Sequence, residues 1–204
     1  MKYEWRKQEK NLYGVKQTPI IVEVPKQKFI VVKGKGNPNE VDFSDRISAL
    51  YSLAYAIKIL FKDVMKNKTD NDITDYAVYP LEGLWEKVNG AELDKNKLEY
   101  TLMIKQPDFI TQEIFTKALE NVKKKKPNVL YDEISFREIE EGKSIHILHV
   151  GSYDDEPKSF EQMDEFARKL DLTRIGDFHK EIYLSNKNRT SEEKQKTILR
   201  YSVK

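Results

Sequence analysis

Lys28-Phe29-Ile30-Val31-Val32-Lys33-Gly34 decides how the chain is read, because its pattern returns at Ser144-Ile145-His146-Ile147-Leu148-His149-Val150-Gly151. Each run is apolar, rich in β-branched residues and closed by glycine, the make-up of a strand that ends in a turn. The segments downstream of the two runs match as well. After the turn residues Gly34, Gly36, Asn37 and Pro38, the segment 43–66 reads as one helix. Its Ile47, Leu50, Tyr51, Ala54, Ile57 and Phe61 recur every three or four positions, with Ser44 or Asp42 as the expected N-cap. Segments 75–86 and 97–105 then read as strands, separated by a polar loop at 67–72 from the helix and by Asn89-Gly90 and Asp94 from each other. In the second half, 160–170 reads as a helix and 179–184 and 197–203 as strands. The order strand, turn with glycine, helix, strand, strand occurs twice, with similar pattern and little residue identity.

Outside this repeat, 20–25 and 133–140 read as additional strands, and 111–125 as a connecting helix with Thr111 at its N-cap. The expected fold class is α+β, with two pseudo-symmetric βαββ repeats and the helices on one sheet face. The expected organisation is an N-terminal extension over 1–19 and one domain over 20–204. Repeat one covers about 20–106, the connecting helix about 111–126 and repeat two about 133–204. A pocket belongs on the open concave face of such a sheet or at the seam between the halves.

Of the 204 residues, 39% are hydrophobic and 34% charged, enough apolar material for a core and too much for a disordered chain. The absence of cysteine excludes disulfides, thiolate nucleophiles and cysteine-bound zinc. The charged opening MKYEWRKQEK lacks the apolar core of a secretory signal, so a cytoplasmic location is expected. No run is long and apolar enough for a membrane span. Net charge is only +2, and Lys123-Lys124-Lys125-Lys126 ends an amphipathic helix, where cations complement the dipole. Neither nucleic acid nor a membrane is the expected partner.

Two segments concentrate chemistry. In His179-Lys180-Glu181-Ile182-Tyr183-Leu184, strand alternation puts His179, Glu181 and Tyr183 on one face, with Lys180, Ile182 and Leu184 on the other. Ile182 and Leu184 are expected to pack beneath the helices, leaving Glu181 between an imidazole and a phenol on the opposite face. Such a pattern also suits an ordinary exposed polar strand face. Tyr79-Pro80-Leu81-Glu82-Gly83-Leu84-Trp85 sets two aromatics beside a carboxylate, suited to planar or cationic ligands. Its Pro and Gly suggest a bulge or a close approach by ligand. Tyr100 and Met103 fall on opposite faces, so at most one extends the wall. His146 and His149 also diverge, and Asp154-Asp155-Glu156-Pro157 reads as capping before a helix, so no metal site is expected. No nucleophile elbow, dinucleotide fingerprint or other cofactor motif occurs.

Segments 79–85, 98–109, 149–157 and 179–185 together resemble the GyrI-like small-molecule-binding family, and more narrowly its stand-alone branch. The resemblance implies a fold of two βαββ repeats, shared with SOUL-like proteins and with the ligand domains of multidrug-responsive activators. It implies that Glu181 is the pocket carboxylate and Tyr183 the aromatic of the same Glu-x-Tyr pattern. Trp85 lies in a wall segment, although Glu86 stands where the family often has a second aromatic. Tyr79, Tyr100, Tyr153 and His179 complete the expected ligand-binding set. Some stand-alone members are similar to hydrolases that open cyclopropane rings of DNA-alkylating natural products. That implies Glu181 as the catalytic carboxylate with Tyr183, or another of Tyr76, Tyr79, Tyr100 and Tyr153, as phenol. A non-catalytic drug sensor or a gyrase-inhibitor-like interaction module is the alternative. No cofactor is implied for the small-molecule reading.

Overall fold

The computed structural model describes residues 1–66, 72–86, 98–186 and 188–204. The turn expected at Asn89-Gly90 and Asp94, Lys97, and 67–71 of the polar loop lie outside them. Apart from the N-terminal elements, the chain runs β2 (Ile20–Val24), β3 (Gln27–Lys35), α3 (Val41–Val64), β4 (Asp75–Tyr76), β5 (Leu81–Glu86), β6 (Glu99–Gln106) and α4 (Gln112–Lys125). The second half gives β7 (Ser135–Ile139), β8 (Gly142–Val150), α5 (Glu156–Lys169), β9 (Phe178–Tyr183) and β10 (Lys196–Ser202). The βαββ order therefore occurs as β3-α3-β5-β6 and again as β8-α5-β9-β10.

All eight long strands form one antiparallel sheet in the order β2-β8-β10-β9-β5-β6-β3-β7. β2 stands first and β3 seventh in that order, yet only Pro25 and Lys26 join them. The sheet must curl until its ends approach. The two repeats meet where β5 pairs β9, with Gly83 opposite Glu181 and Trp85 opposite His179.

Register divides the sheet into two faces. Ile30, Val32, Leu102 and Ile104 share one of them with Gly83 and Trp85 and pack with Leu50, Leu53 and Ile57 of α3. The same face continues through Glu181 to Leu199 and Ile147, which pack with Met163 and Ala167 of α5. Both helices thus cover one face, and Glu181 lies on it in the interval between them. The sequence placed Ile182 on the helix side, and the structure reverses that assignment: Ile182 and Lys180 face the other way.

The reason is the N-terminal extension. It folds as β1 (Lys2–Tyr3), which pairs parallel with β4, followed by α1 (Trp5–Gln8) and α2 (Lys10–Tyr13), and forms a strap across the second face. Trp5, Leu12, Tyr13 and Val15 of the strap are buried in one core cluster with Val22, Val24, Ile182 and Ile198. Both faces of β9 are covered, so alternation identifies neighbours on a face but not which face meets the helices.

Other boundaries shift for local reasons. α3 begins at Val41, with Glu40 at its N-cap and no side-chain cap bond, and Ser44 Oγ instead donates to Val41 O at 2.8 Å. Thr111 does cap α4, its hydroxyl accepting from Ile114 N at 3.3 Å. α5 starts four residues earlier than its apolar periodicity suggests, with Pro157 in the first turn, where its missing N–H costs nothing. β5 is a regular central strand, because Pro80 precedes it and Gly83 keeps its ladder pairing on both sides.

Among the described residues no helix is long and apolar enough to cross a membrane.

Candidate functional site

The site is assembled at the seam, from β5, β6 and β9 below and the N-terminal ends of α3 and α5 above. Glu181 is 9% exposed. Its Oε2 accepts from the Tyr183 hydroxyl at 2.7 Å, and Oε1 accepts from His179 Nε2–H at 3.0 Å. Trp85 Nε1–H donates in turn to the Tyr183 oxygen at 3.0 Å. A chain of hydrogen bonds therefore runs from indole to phenol to carboxylate. It fixes Glu181 in one orientation and leaves the phenol proton pointing at it.

Gly83 makes that chain possible. A Cβ on Gly83 would lie 2.6 Å from Trp85 Nε1 and 3.0 Å from the Tyr183 oxygen. The close approach expected from this glycine is made by the chain's own side chains. Gly34 plays the same part for Tyr100, whose ring would meet a Cβ there at 2.2 Å. Tyr100 in turn packs 5.4 Å from Trp85, and Phe43 of α3 closes this wall at 5.0 Å from Tyr100 and 5.9 Å from Trp85. On the α5 side, Tyr153 meets Tyr183 edge-on at 6.2 Å and Phe160 meets His179 at 4.8 Å.

The second carboxyl group is Glu156, the first residue of α5 and 7% exposed. Burial, the charge of Glu181 and a hydrogen bond between the two carboxyl groups push its pKa well above the usual carboxylate range. Two carboxylates this close in an apolar setting cannot both ionise cheaply, so the pair holds one proton at neutral pH. Glu156 Oε1 is buried without a hydrogen-bond partner among the described residues. The same burial and the same charge raise the Tyr153 phenol to about 12 and Tyr183 further, so both remain donors.

Glu156 is held in place from behind. His149 Nε2–H donates to Ser152 O at 2.9 Å, which leaves Nδ1 to accept from the Ser159 hydroxyl at 2.9 Å. This buried link ties β8 to the turn carrying Tyr153 and to the first turns of α5. A recess of about 400 Å³ opens beside His179, lined among others by Pro157, Phe160, Asp164 and Arg174.

The structure therefore gathers Trp85, Tyr100, Tyr153, His179, Glu181 and Tyr183 around one seam. Tyr79 is placed elsewhere. It lies beneath the strap, stacked on Trp5 at 5.8 Å and bonded through its hydroxyl to Glu9, because residue 79 precedes β5 and the strap covers it. Met103 faces the strap side with Phe29 and Val31. The sequence reading took Glu156 as capping before a helix and Phe43 and Phe160 as helix starts, and placed none of them in the site. Pro157 was the available signal for Glu156, since proline favours the first helical turn and so puts the preceding residue at the helix start.

A family model for the GyrI-like small molecule binding domain matches residues 17–202, and the chain belongs to that family. Among solved structures, a Listeria innocua hydrolase is 33% identical, with a TM-score of 0.89 and 100% of both chains covered. An uncharacterised conserved protein from Listeria innocua is also 33% identical, with a TM-score of 0.88, covering 99% of this chain and 100% of that one. The C-terminal domain of EcmrR is 12% identical with a TM-score of 0.54, covering 92% of this chain and 97% of that domain, a likeness of fold alone. No match was found among curated proteins.

Proposed function

We propose that the protein binds a planar, hydrophobic or cationic small molecule at this seam and adds water across the strained ring of cyclopropane-bearing alkylating compounds, as a detoxifying hydrolase. The observation that carries this reading is the buried carboxyl pair of Glu156 and Glu181, in which burial and the neighbouring carboxylate push the Glu156 pKa well up, with aromatic walls on either side. The hydrolase name borne by the 33% identical Listeria protein supports the direction of the chemistry.

The two carboxyl groups have separate roles in that reaction. Water attacks a ring carbon, its oxygen forms the new C–O bond, and Glu181 takes the proton. The ring C–C bond breaks and its electron pair moves through the conjugated system onto the ligand's carbonyl oxygen. Glu156 delivers its proton there, stabilising the charge as it develops. The pair begins and ends with one proton, so only an exchange between the two resets it. His179 and Tyr183 hold Glu181 in position, and the rings of Trp85 and Tyr100 supply flat contact for the ligand.

Mass spectrometry of the wild-type protein with several such alkylators tests this directly, the expected result being a product one water heavier. Glu181→Gln keeps the shape and removes the base. Turnover should fall by about 10²–10⁴-fold, the usual worth of a positioned acid–base group, while affinity for a neutral ligand changes little. Binding with no water-added product from any of them would overturn hydrolysis and leave a binding protein.

A further inference from the structure

The recess beside His179 follows one flank of α5. Glu156, Ser159, Met163 and Ala167 form the buried stripe of that helix, and Pro157, Phe160, Glu161, Asp164 and Arg168 stand next to it along the recess. Phe160 meets His179 at 4.8 Å, and Asp164 accepts from the Tyr201 hydroxyl at 2.8 Å, so this flank overlooks β9 and β10. From Phe160 to Arg168 the recess follows two helical turns, roughly 12 Å at about 1.5 Å per residue.

His179 belongs to both the recess and the seam. Its Nε2–H donates to Glu181 Oε1 at 3.0 Å, while its side chain, 17% exposed, lines the recess. Glu156 immediately precedes Pro157 at the head of the recess, and Trp85 stands opposite His179 in the β5–β9 ladder. The carboxyl pair and the recess are thus neighbours along one helix and one strand. Pro157 and the half-buried Phe160 ring give the recess an apolar wall. The charges around it come in both signs, and most are engaged. Asp164 holds the Tyr201 hydroxyl, and Arg168 Nε–H donates to Asp164 O at 3.4 Å. Arg174 donates to Phe178 O at 2.7 Å and lies over the Tyr201 ring at 4.6 Å. Such a lining singles out neither an anion nor a cation.

We propose that this recess takes the flat, uncharged tail of an elongated ligand whose head lies against the carboxyl pair, a proposal that rests on the reading of the seam as a small-molecule site. The recess volume of about 400 Å³ falls within the roughly 300–1,000 Å³ of drug-sized pockets. A ligand too short to pass His179 gains nothing from it. One ring more places apolar surface against Phe160 and Pro157. Length along α5 is therefore the property that the site selects, and Phe160 is the residue that determines it.

The experiment titrates the whole chain with 2-naphthol and with 6-phenyl-2-naphthol, which carries one more ring in line, followed by protein-detected NMR. Both probes should shift Trp85 and Tyr183, and the longer one should add a saturable shift at the Phe160 ring. It should also bind about tenfold more tightly, the worth of burying roughly 50–60 Å² of apolar surface. Glu161→Trp fills the recess from an exposed position of α5, where folding is not at stake, and should cancel the advantage of the longer probe. Equal affinity of the two probes for the wild type, an advantage that survives Glu161→Trp, or no shift at Phe160 would each overturn the proposal. Shifts at Phe160 with none at Trp85 or Tyr183 would count against the seam as the binding place and overturn the head-and-tail arrangement with it. Which rings move tells the two failures apart.

Discussion

Lys180 and Glu181 are neighbours on β9 that point to opposite faces, and each is buried in an electrostatic setting unlike the other's. On the strap face, Lys180 Nζ lies 2.5 Å from Glu141 and 3.1 Å from Glu82, Arg200 reaches Glu141 at 3.7 Å, and Lys105 pairs with Glu9. Three carboxylates meet three cations. Burial alone would lower the Lys180 pKa, but Glu82 and Glu141 more than offset it and hold the ammonium charged. Burial would likewise raise Glu141, and Lys180 and Arg200 outweigh it. On the helix face, Glu156 and Glu181 meet each other, and among the described residues neither is ion-paired with a lysine or arginine. The balanced network closes the fold. The unbalanced pair stores a proton and an unmet demand for positive charge or a hydrogen-bond acceptor, which is what a site for chemistry needs.

Breaking the balanced side should cost most. Lys180→Met leaves Glu82 and Glu141 buried with reduced compensation, and urea denaturation should show a loss of about 3–5 kcal/mol. A change of less than about 1 kcal/mol would mean that water already screens those carboxylates. The next effect is steric. Gly83→Ala forces Trp85 and Tyr183 apart, and overpacking of this kind costs about 1–3 kcal/mol. Because the indole–phenol–carboxylate chain breaks with it, ligand affinity should fall as well. Unchanged Trp85 fluorescence and unchanged binding would contradict the geometry of the seam.

The unbalanced side gives a smaller effect with a pH signature. The folded-state pKa of Glu156 is raised above its unfolded value, so its contribution is fully favourable below the ordinary carboxylate range. Stability is lost as pH climbs from that range toward the raised value, because only the unfolded chain ionises there. Glu156→Gln does not titrate and can still donate to Glu181. The variant should match the wild type near pH 4 and exceed its stability at neutral pH by on the order of 1–2 kcal/mol. Urea midpoints across that range provide the check.

The same contrast explains what the sequence disclosed. Period-two alternation was enough to place His179, Glu181 and Tyr183 together, and the repeated pattern at Lys28 and Ser144 was enough for two βαββ units. Alternation could not orient β9, because a strand covered on both sides carries no solvent face to mark. The strap does the covering, and its short helices, with Trp5, Leu12 and Tyr13 buried among polar neighbours, have no long apolar period to betray them. Tyr79 was assigned to the wrong surroundings for the same reason. Glu156 was hidden differently: an acidic residue at a helix start is ordinary capping until the fold brings a second carboxyl group against it.

The seam holds two carboxyl groups and, with the Glu156 pKa raised by burial and by Glu181, one proton at neutral pH. Carboxyl-carbon NMR of the wild-type protein, with Glu156 and Glu181 assigned through the Gln variants, measures this directly as pH is raised. The Glu156 signal should stay in its protonated position through neutral pH and move only in alkaline solution, and Glu181→Gln should bring its titration down toward ordinary values. Titration of Glu156 together with the exposed glutamates in the wild type would show that the pair shares no proton and would contradict this reading of the seam.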